Sequence, residues 1–312
     1  MSHPSLRQFE YLVTLADCSH FGRAADMLHI SQPTLSQQLR ALETSLGALL
    51  VDRNANPVAL TPLGRQVVVK AREMLLGLRD ITEITARAKT GAVGILRFGI
   101  TPTLAPYLMP PVIAQLHREM PDLHFHIREG FPDEQARLLA NGGLDMLLAP
   151  LPTGGMGLHV EPLFRESLHF VAPPDHPLAL KVGLSRDDMA GAAVLSLDPR
   201  HHFHRQTLEI CEALGANVLR DYEGTSLDSL HQMVCSGLGL ALLPALYLRS
   251  EVGGGGVVCR LHPKGFTAHR TIAALWRAGS ANTADFQLIA RHIATFAQSL
   301  LAKPSAGRSV HL

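Results

Sequence analysis

Apolar residues recur three and four positions apart from the start of the chain. Leu6, Phe9, Leu12, Val13 and Ala16 predict an amphipathic helix over residues 5–17, and Phe21, Ala24, Ala25 and Leu28 predict a second, shorter one. The stretch His29-Ile30-Ser31-Gln32-Pro33 reads as a stop followed by a start. Ser31 or Gln32 can cap the next helix, and Pro33 suits its first turn because the missing N–H has no partner there. That helix runs to about Ser45, with Leu35, Leu39, Leu42 and Leu46 on one face. The opposite face carries Pro33, Gln37, Arg40 and Thr44, flanked by Thr34 and Ser36. Hydroxyls, amides and a guanidinium hydrogen-bond base edges and phosphates. A short helix, a tight turn and a polar-faced helix together have helix-turn-helix geometry.

Two apolar runs, 49–51 and 58–60, flank Asn54-Ala55-Asn56-Pro57 and predict a hairpin, or wing. Thr61-Pro62 then opens another helix, with Thr61 as cap and proline in first position. Along it Leu63, Val67, Ala71, Met74, Leu78, Ile81, Thr85 and Ala88 step by four and three. Such a seam packs inside the chain or pairs with another copy, and its length without a cap favours pairing.

Gly91 to Gly94 breaks the pattern and predicts a hinge. Strands and helices alternate beyond it: strand Ile95–Ile100, helix Leu104–Met120, strand Leu123–Glu129, helix Glu134–Ala140, strand Leu144–Ala149. A second set follows: strands Leu168–Val171 and Ala193–Leu197, helix Phe203–Leu214, a strand near Asp221, helix Ser226–Cys235 and strand Gly239–Leu243. Strand Thr271–Trp276 and helix Asp285–Leu301 end it. Alternation of this kind implies parallel sheet covered by helices, in two similar lobes with a cleft between them. Ligands of such sheets bind beyond the carboxyl ends of strands, against helix N-termini. Thr101-Pro102-Thr103, Asp198 to Arg205 and Thr225-Ser226 occupy such places. The candidate effector residues are Thr101, Thr103, Asp198, His202, His204, Thr225 and Ser226, suited to a carboxylate or another small oxygen-rich ligand; plain helix capping is the alternative for each Thr and Ser.

Composition narrows the function. Of the 312 residues 46% are hydrophobic and 18% charged, enough for a substantial core and too apolar for a disordered chain. Residues 1–90 hold ten Lys/Arg against eight Asp/Glu, and the whole chain has net charge +1, so a nucleic-acid partner rests on placed side chains and not on bulk charge. Aromatics are 5%, with Trp276 alone of its kind, which argues against a stacking platform for single strands. Cys18, Cys211, Cys235 and Cys259 are scattered without a CxxC, as expected in a reducing compartment. The N-terminus has no apolar core of a signal peptide, and the longest apolar run, Gly237–Leu248, contains Pro244 and falls short of the roughly twenty residues of a spanning helix. A soluble cytoplasmic protein without membrane partners is expected. An enzyme on the α/β body lacks support: no GxSxG, HExxH or spaced acid pair occurs, and Gly253–Gly256 is followed by no P-loop lysine.

The run AADMLHISQPTLSQQLRALETSLGALLVDR followed by ALTPLG resembles the DNA-binding head of the LysR-type transcriptional regulators. The resemblance implies three parts. Residues 1–61 form an all-α winged helix-turn-helix domain, 62–90 a linker and dimerisation helix, and 91–312 an α/β, two-lobed, periplasmic-binding-protein-like effector domain. Lobe I covers about 91–165 and 269–302, lobe II about 166–268, with crossings near Arg165 and Ala268. By the same resemblance Gln32, Pro33, Thr34, Ser36, Gln37 and Arg40 face DNA from the recognition helix. Arg53 in the wing and Thr61 at the linker start touch backbone or the adjacent minor groove. Gln37 stands where many members have Arg, which shifts base preference from guanine towards adenine. The implied partners are double-stranded DNA, a second copy through the linker helix, further copies in a tetramer, and RNA polymerase if the protein activates.

The body is similar to one subgroup, the hydrogen-peroxide-sensing OxyR regulators, through ITPTLAPYLMPPVIAQLH, EICEALGA and GTSLDSLHQMVCSGLGLALLPAL. That subgroup switches by a disulfide between two cysteines. Cys211 matches the second; His202 stands at the first, peroxide-reacting position. A disulfide needs two sulfurs, and peroxide chemistry needs a low-pKa thiolate. The expected regulator is therefore OxyR-like without that switch, and gated by an unidentified small molecule in the cleft. Two alternatives remain open: oxidation of Cys211 alone, and metal sensing by His201, His202 and His204. No cofactor is expected.

Overall fold

The computed structural model describes residues 3–55, 57–90, 95–251 and 258–302. Its compact units are Met1–Gly91 and Ala92–Leu312. The hinge expected at Gly91–Gly94, Asn56 of the wing turn and the loop Gly253–Gly256 lie outside the described residues.

The first unit is α1 (Leu6–Cys18), α2 (Phe21–Met27), α3 (Gln32–Leu46), β1 (Val51–Asp52), β2 (Ala59–Leu60) and α4 (Pro62–Thr90). Each of the first three helices starts on a side-chain cap. Ser5 and Gln8 form a reciprocal capping box, the His20 ring accepts from the Gly22 and Arg23 N–H groups, and Ser31 accepts from the Thr34 N–H. Leu12, Leu15, Ala24, Leu35, Leu39 and Leu42 are buried together as the small core. Leu46 departs from expectation. It is 41% exposed, because α3 outruns the core before Gly47 ends it in the left-handed region at φ +68°.

A buried carboxylate joins α3 to the wing. Glu43 accepts from the N–H groups of Leu50 at 2.8 Å and Val51 at 3.1 Å, and pairs with Arg53 at 2.7 Å. Burial opposes its ionisation, but Arg53 and the two backbone donors prevail and hold the carboxyl below its usual range. The start of α4 is pressed onto the same place. Thr61 donates its hydroxyl to the Leu49 carbonyl and caps the Gly64 N–H, both at 2.9 Å. A Cβ on Gly64 would lie 2.0 Å from the Leu50 carbonyl oxygen. The seam of α4 is split: Ala71 is buried within the unit, whereas Met74, Leu78 and Ile81 are 40%, 43% and 60% exposed. Arg72 pairs with Asp17 and ties α4 to α1.

The second unit continues with β3 (Ile95–Ile100), α5 (Ala105–Glu119), β4 (His124–Glu129), α6 (Pro132–Ala140), β5 (Met146–Pro150), β6 (Leu158–Ala172), α7 (Pro177–Leu180), β7 (Ala193–Leu197), α8 (His202–Leu214) and β8 (Asn217–Gly224). It ends with α9 (Leu227–Cys235), β9 (Leu240–Pro244), α10 (Ala245–Glu251), β10 (Cys259–Leu261), β11 (Ala268–Arg277) and α11 (Thr283–Ala302). One mixed sheet carries both lobes, in the order β4-β3-β5-β11-β6-β9-β7-β8, with β10 on β6. Parallel triplets sit at each end: β3 between β4 and β5, and β7 between β8 and β9. Between them β6 and β11 run antiparallel through both lobes, and Arg165 faces Thr271 at the crossing. The expected strands Leu168–Val171 and Thr271–Trp276 are thus the most apolar parts of strands of 15 and 10 residues. Half of residues 158–167 are exposed, and Glu161, Arg165 and Glu166 interrupt the apolar positions, so apolar periodicity there is weak. The short elements α7, α10 and β10 were not expected either.

We expect Gly64→Ala to destabilise the first unit by about 2 kcal/mol, in the range of overpacking. Thermal melting of the isolated residues 1–90 would show it as a lowered midpoint; an unchanged midpoint would contradict the close approach of α4 to Leu50.

Candidate functional site

On α3, Gln32, Pro33, Thr34, Gln37 and Arg40 are exposed and Ser36 is half-buried. Among the described residues the Gln37 and Arg40 side chains have no hydrogen-bond partner, so their donors and acceptors are free for a ligand. Thr34 is engaged locally, with its hydroxyl 2.7 Å from that of Ser31. Arg53 and Thr61 are also committed within their own unit. Arg53 gives one Nη to Glu43, and its Nε is buried without a partner. Thr61 spends its hydroxyl on the cap described above. The face of α3 is exposed by helical spacing, and Arg53 and Thr61 in addition hold their own unit together.

In the second unit a cavity of about 180 Å³ lies between the lobes. Pro102, Glu129, Gly130 and Phe131 line it from lobe I; Asp198, Arg200, His201 and Thr225 line it from lobe II. These residues sit at or just after the C-terminal ends of β3, β4, β7 and β8, where a parallel sheet leaves helix N-termini and loops facing a ligand. Phe131 closes it. The Arg200 guanidinium stacks 4.7 Å from the ring centroid, and His201 meets the ring edge-on at 4.9 Å. Asp198 holds Arg200 in place by accepting from its backbone N–H, Nε and Nη2 at 2.8–2.9 Å. The Arg200 hydrogen bonds hold the Asp198 carboxyl below its usual range.

The other predicted effector residues are spread around this cavity. Thr103 is buried and accepts from Arg270 through its hydroxyl at 2.9 Å and its carbonyl at 3.0 Å. Thr101 is buried, and its hydroxyl has no partner. Ser226 caps α9 by accepting from the Ser229 N–H. His202 faces Asp133 of lobe I at 4.0 Å, and Arg205 faces the same carboxylate at 3.7 Å. His204 turns back to β7, with Nδ1 2.8 Å from the Leu197 carbonyl. The three histidines therefore point to three places, and no group of three metal-ligating side chains converges among the described residues. Cys211 is 1% exposed, and burial pushes its thiol up to about 11. That is the environment of an inert thiol.

Two residues at the strand crossing between the lobes escaped sequence reasoning. Arg270 and Glu166 stand opposite each other on β11 and β6 and form a fully buried ion pair at 2.8 Å. Glu166 also accepts from the Leu246 N–H at 2.7 Å, and Arg270 lies over the Phe203 ring at 5.5 Å. One guanidinium thus touches the turn before α5 in lobe I and the start of α8 in lobe II. A lone arginine just ahead of the apolar stretch Ile272–Trp276 was the available signal, since such a charge is buried only with a partner. Tyr107 of α5 adds a second bridge by donating to Asp228 of α9 at 3.1 Å.

Arg270→Met should cost about 3–5 kcal/mol, because Glu166 is left buried and unpaired, and adding Glu166→Gln should recover part of the loss in denaturant unfolding. No recovery would show that the pair acts through shape alone. Acid should act in a defined window. Burial lowers the pKa of His169, His201, His202 and His231, so below about pH 6.5 the unfolded chain binds more protons than the folded one. Stability should fall from pH 7 to pH 5 and fall less in His202→Gln; a melting temperature constant over that range would contradict this.

Comparisons with known proteins agree with the geometry. Residues 6–65 match the bacterial regulatory helix-turn-helix, lysR family, and residues 89–298 match the LysR substrate binding domain. The chain is 35% identical to the DNA-binding transcriptional dual regulator OxyR of Escherichia coli K12, over 93% of this chain and 94% of that one. It is 34% identical to a hydrogen peroxide-inducible genes activator of Dickeya chrysanthemi, over 97% and 99%. Among solved structures it is similar to a full-length cysteine-to-aspartate variant of Pseudomonas aeruginosa OxyR, with TM-score 0.71, 33% identity and coverage of 94% and 98%. It is also similar to a peroxide-bound cysteine mutant of Corynebacterium glutamicum OxyR, with TM-score 0.64, 32% identity and coverage of 96% and 95%. A recognition helix with a free polar face, a wing, and a two-lobed body with an interlobe cleft stand together with these matches: the chain belongs to the LysR family of DNA-binding transcriptional regulators.

Proposed function

We propose that this regulator reads double-stranded DNA with Gln37 and its neighbours on α3, and that a small ligand held noncovalently between the lobes controls it. The observation that carries the second half is the cavity lining, four residues from each lobe. An occupant touches both lobes at once and favours whichever arrangement binds it better, which is the thermodynamic requirement for gating. The volume of about 180 Å³ suits a ligand of few heavy atoms. Relatives named for hydrogen peroxide make peroxide the first such ligand to test. Disulfide formation is not part of this mechanism, because histidine stands at position 202 and the Cys211 thiol is buried.

Dimerisation belongs to the same reading. Met74, Leu78 and Ile81 form a stripe on α4 that nothing in its own unit covers, with the spacing of a helix pair. Assembly into tetramers and contact with RNA polymerase in an activator follow from the family resemblance.

Gln37→Ala should weaken binding to the specific operator about tenfold while changing nonspecific binding less than twofold, since a bidentate base contact contributes about 1–3 kcal/mol. Equal losses would remove Gln37 from base readout. The cleft is tested by footprinting the upstream DNA with and without peroxide, in wild type and Cys211→Ser. A shift retained in Cys211→Ser supports noncovalent sensing, a shift lost in that variant assigns sensing to the thiol, and no shift in either protein excludes peroxide as the effector.

A further inference from the structure

Away from the cleft, lobe II gathers positive charge on one face of its sheet. β10 pairs with the end of β6, with Arg260 opposite Val171 and Leu261 opposite Phe170. Directly opposed residues point the same way and alternate residues share a face, so Arg260 lies on the face of His169. The His262 ring stands 6.4 Å from that of His169, at 72°. Arg249 of α10 covers this face. Its guanidinium donates to the Leu300 and Leu301 carbonyls at the end of α11, at 3.0 and 2.6 Å, and its charge bears on both Arg260 and His169.

Every group here is cationic or can become so. Arg260 is half-buried, yet its side chain makes no hydrogen bond or ion pair with any described residue. Burial and Arg249 together lower the Arg260 pKa, and burial with Arg260, His262 and Arg249 takes His169 down to about 4. No carboxylate is among the groups that act on either. A partly desolvated guanidinium facing other cations is costly unless an anion completes it.

We propose that Arg260, His169 and His262, covered by Arg249, form a binding site for a phosphate-class oxyanion on lobe II, separate from the interlobe cleft. The planar fork of Arg260 presents two N–H donors to one oxyanion, and each imidazole ring adds an N–H donor. Free phosphate and the phosphate group of a small metabolite share this chemistry. Because the anion favours protonated His169, binding and protonation strengthen each other.

The test uses the full chain at pH 7, melted in sodium phosphate and in sodium chloride of equal ionic strength, beside Arg260→Gln. Phosphate should raise the melting temperature by a few degrees beyond chloride in the wild type and not in the variant. In chloride the variant should melt no lower than the wild type, because it loses an unpaired charge. Proton NMR of the His169 ring should show its pKa rising by at least one unit in phosphate. Equal effects of phosphate and chloride, a phosphate effect that survives Arg260→Gln, or a variant that melts lower in chloride would each overturn the site. Glycerol 3-phosphate distinguishes the sources: stabilisation at concentrations about tenfold below those of inorganic phosphate assigns a phosphorylated metabolite, and equal concentrations assign free phosphate.

Discussion

Where the two central strands cross between the lobes stands an ion pair that water does not reach. Arg270 and Glu166 are both fully buried, and their charges are tolerable because each guanidinium nitrogen and each carboxylate oxygen has a partner. Arg270 satisfies Glu166, the Thr103 hydroxyl and the Thr103 carbonyl; Glu166 also takes the free N–H at the start of α10. Such a pair contributes more to a unique arrangement than to net stability. Its members stand opposite each other where β6 and β11 pass from one lobe to the other. A ligand that moves the lobes must therefore leave this network intact, or find it a second satisfied arrangement. Either way the response is discrete, as a switch requires.

The DNA-binding unit uses the same logic at smaller scale. Glu43 is a buried carboxylate whose partners are two wing N–H groups and Arg53. It fixes the wing to the recognition helix, while the opposite face of that helix keeps Gln37 and Arg40 unengaged. Rigid support on one side and free polar groups on the other let a helix read a groove without reorganising when it binds.

The cleft is lined by imidazole, guanidinium and carboxylate groups, from His201, Arg200, Asp198 and Glu129. His202 faces Asp133 across the lobes. Cys211 is left packed on the apolar side of α8, with its thiolate disfavoured by burial. Phe131 meets Arg200 and His201 of the other lobe by stacking and by an edge-on ring contact. What remains is a two-lobed hinge with weak, reversible contacts across its opening.

Much of this was legible in the chain because it is encoded locally. The caps Ser31 and Thr61, the leucine spacing of α3, the polar face of Gln37 and Arg40 and the alternation of strands and helices each depend on residues within a few positions of one another. So did the identity of the cleft loops, since the ends of parallel strands are where ligands meet an α/β sheet; Asp198 and Thr225 do line the cavity. Tertiary structure alone decided the rest. Arg270 and Glu166 are 104 positions apart, Tyr107 and Asp228 are 121 apart, and Phe131 and Arg200 come from different lobes. It also decided that Thr103 serves Arg270, that Ser226 is a cap, and that the α4 seam divides at Ala71. Periodicity records which face of an element is buried; only the folded chain determines which distant charge that face meets, because burial makes a partner obligatory without naming it.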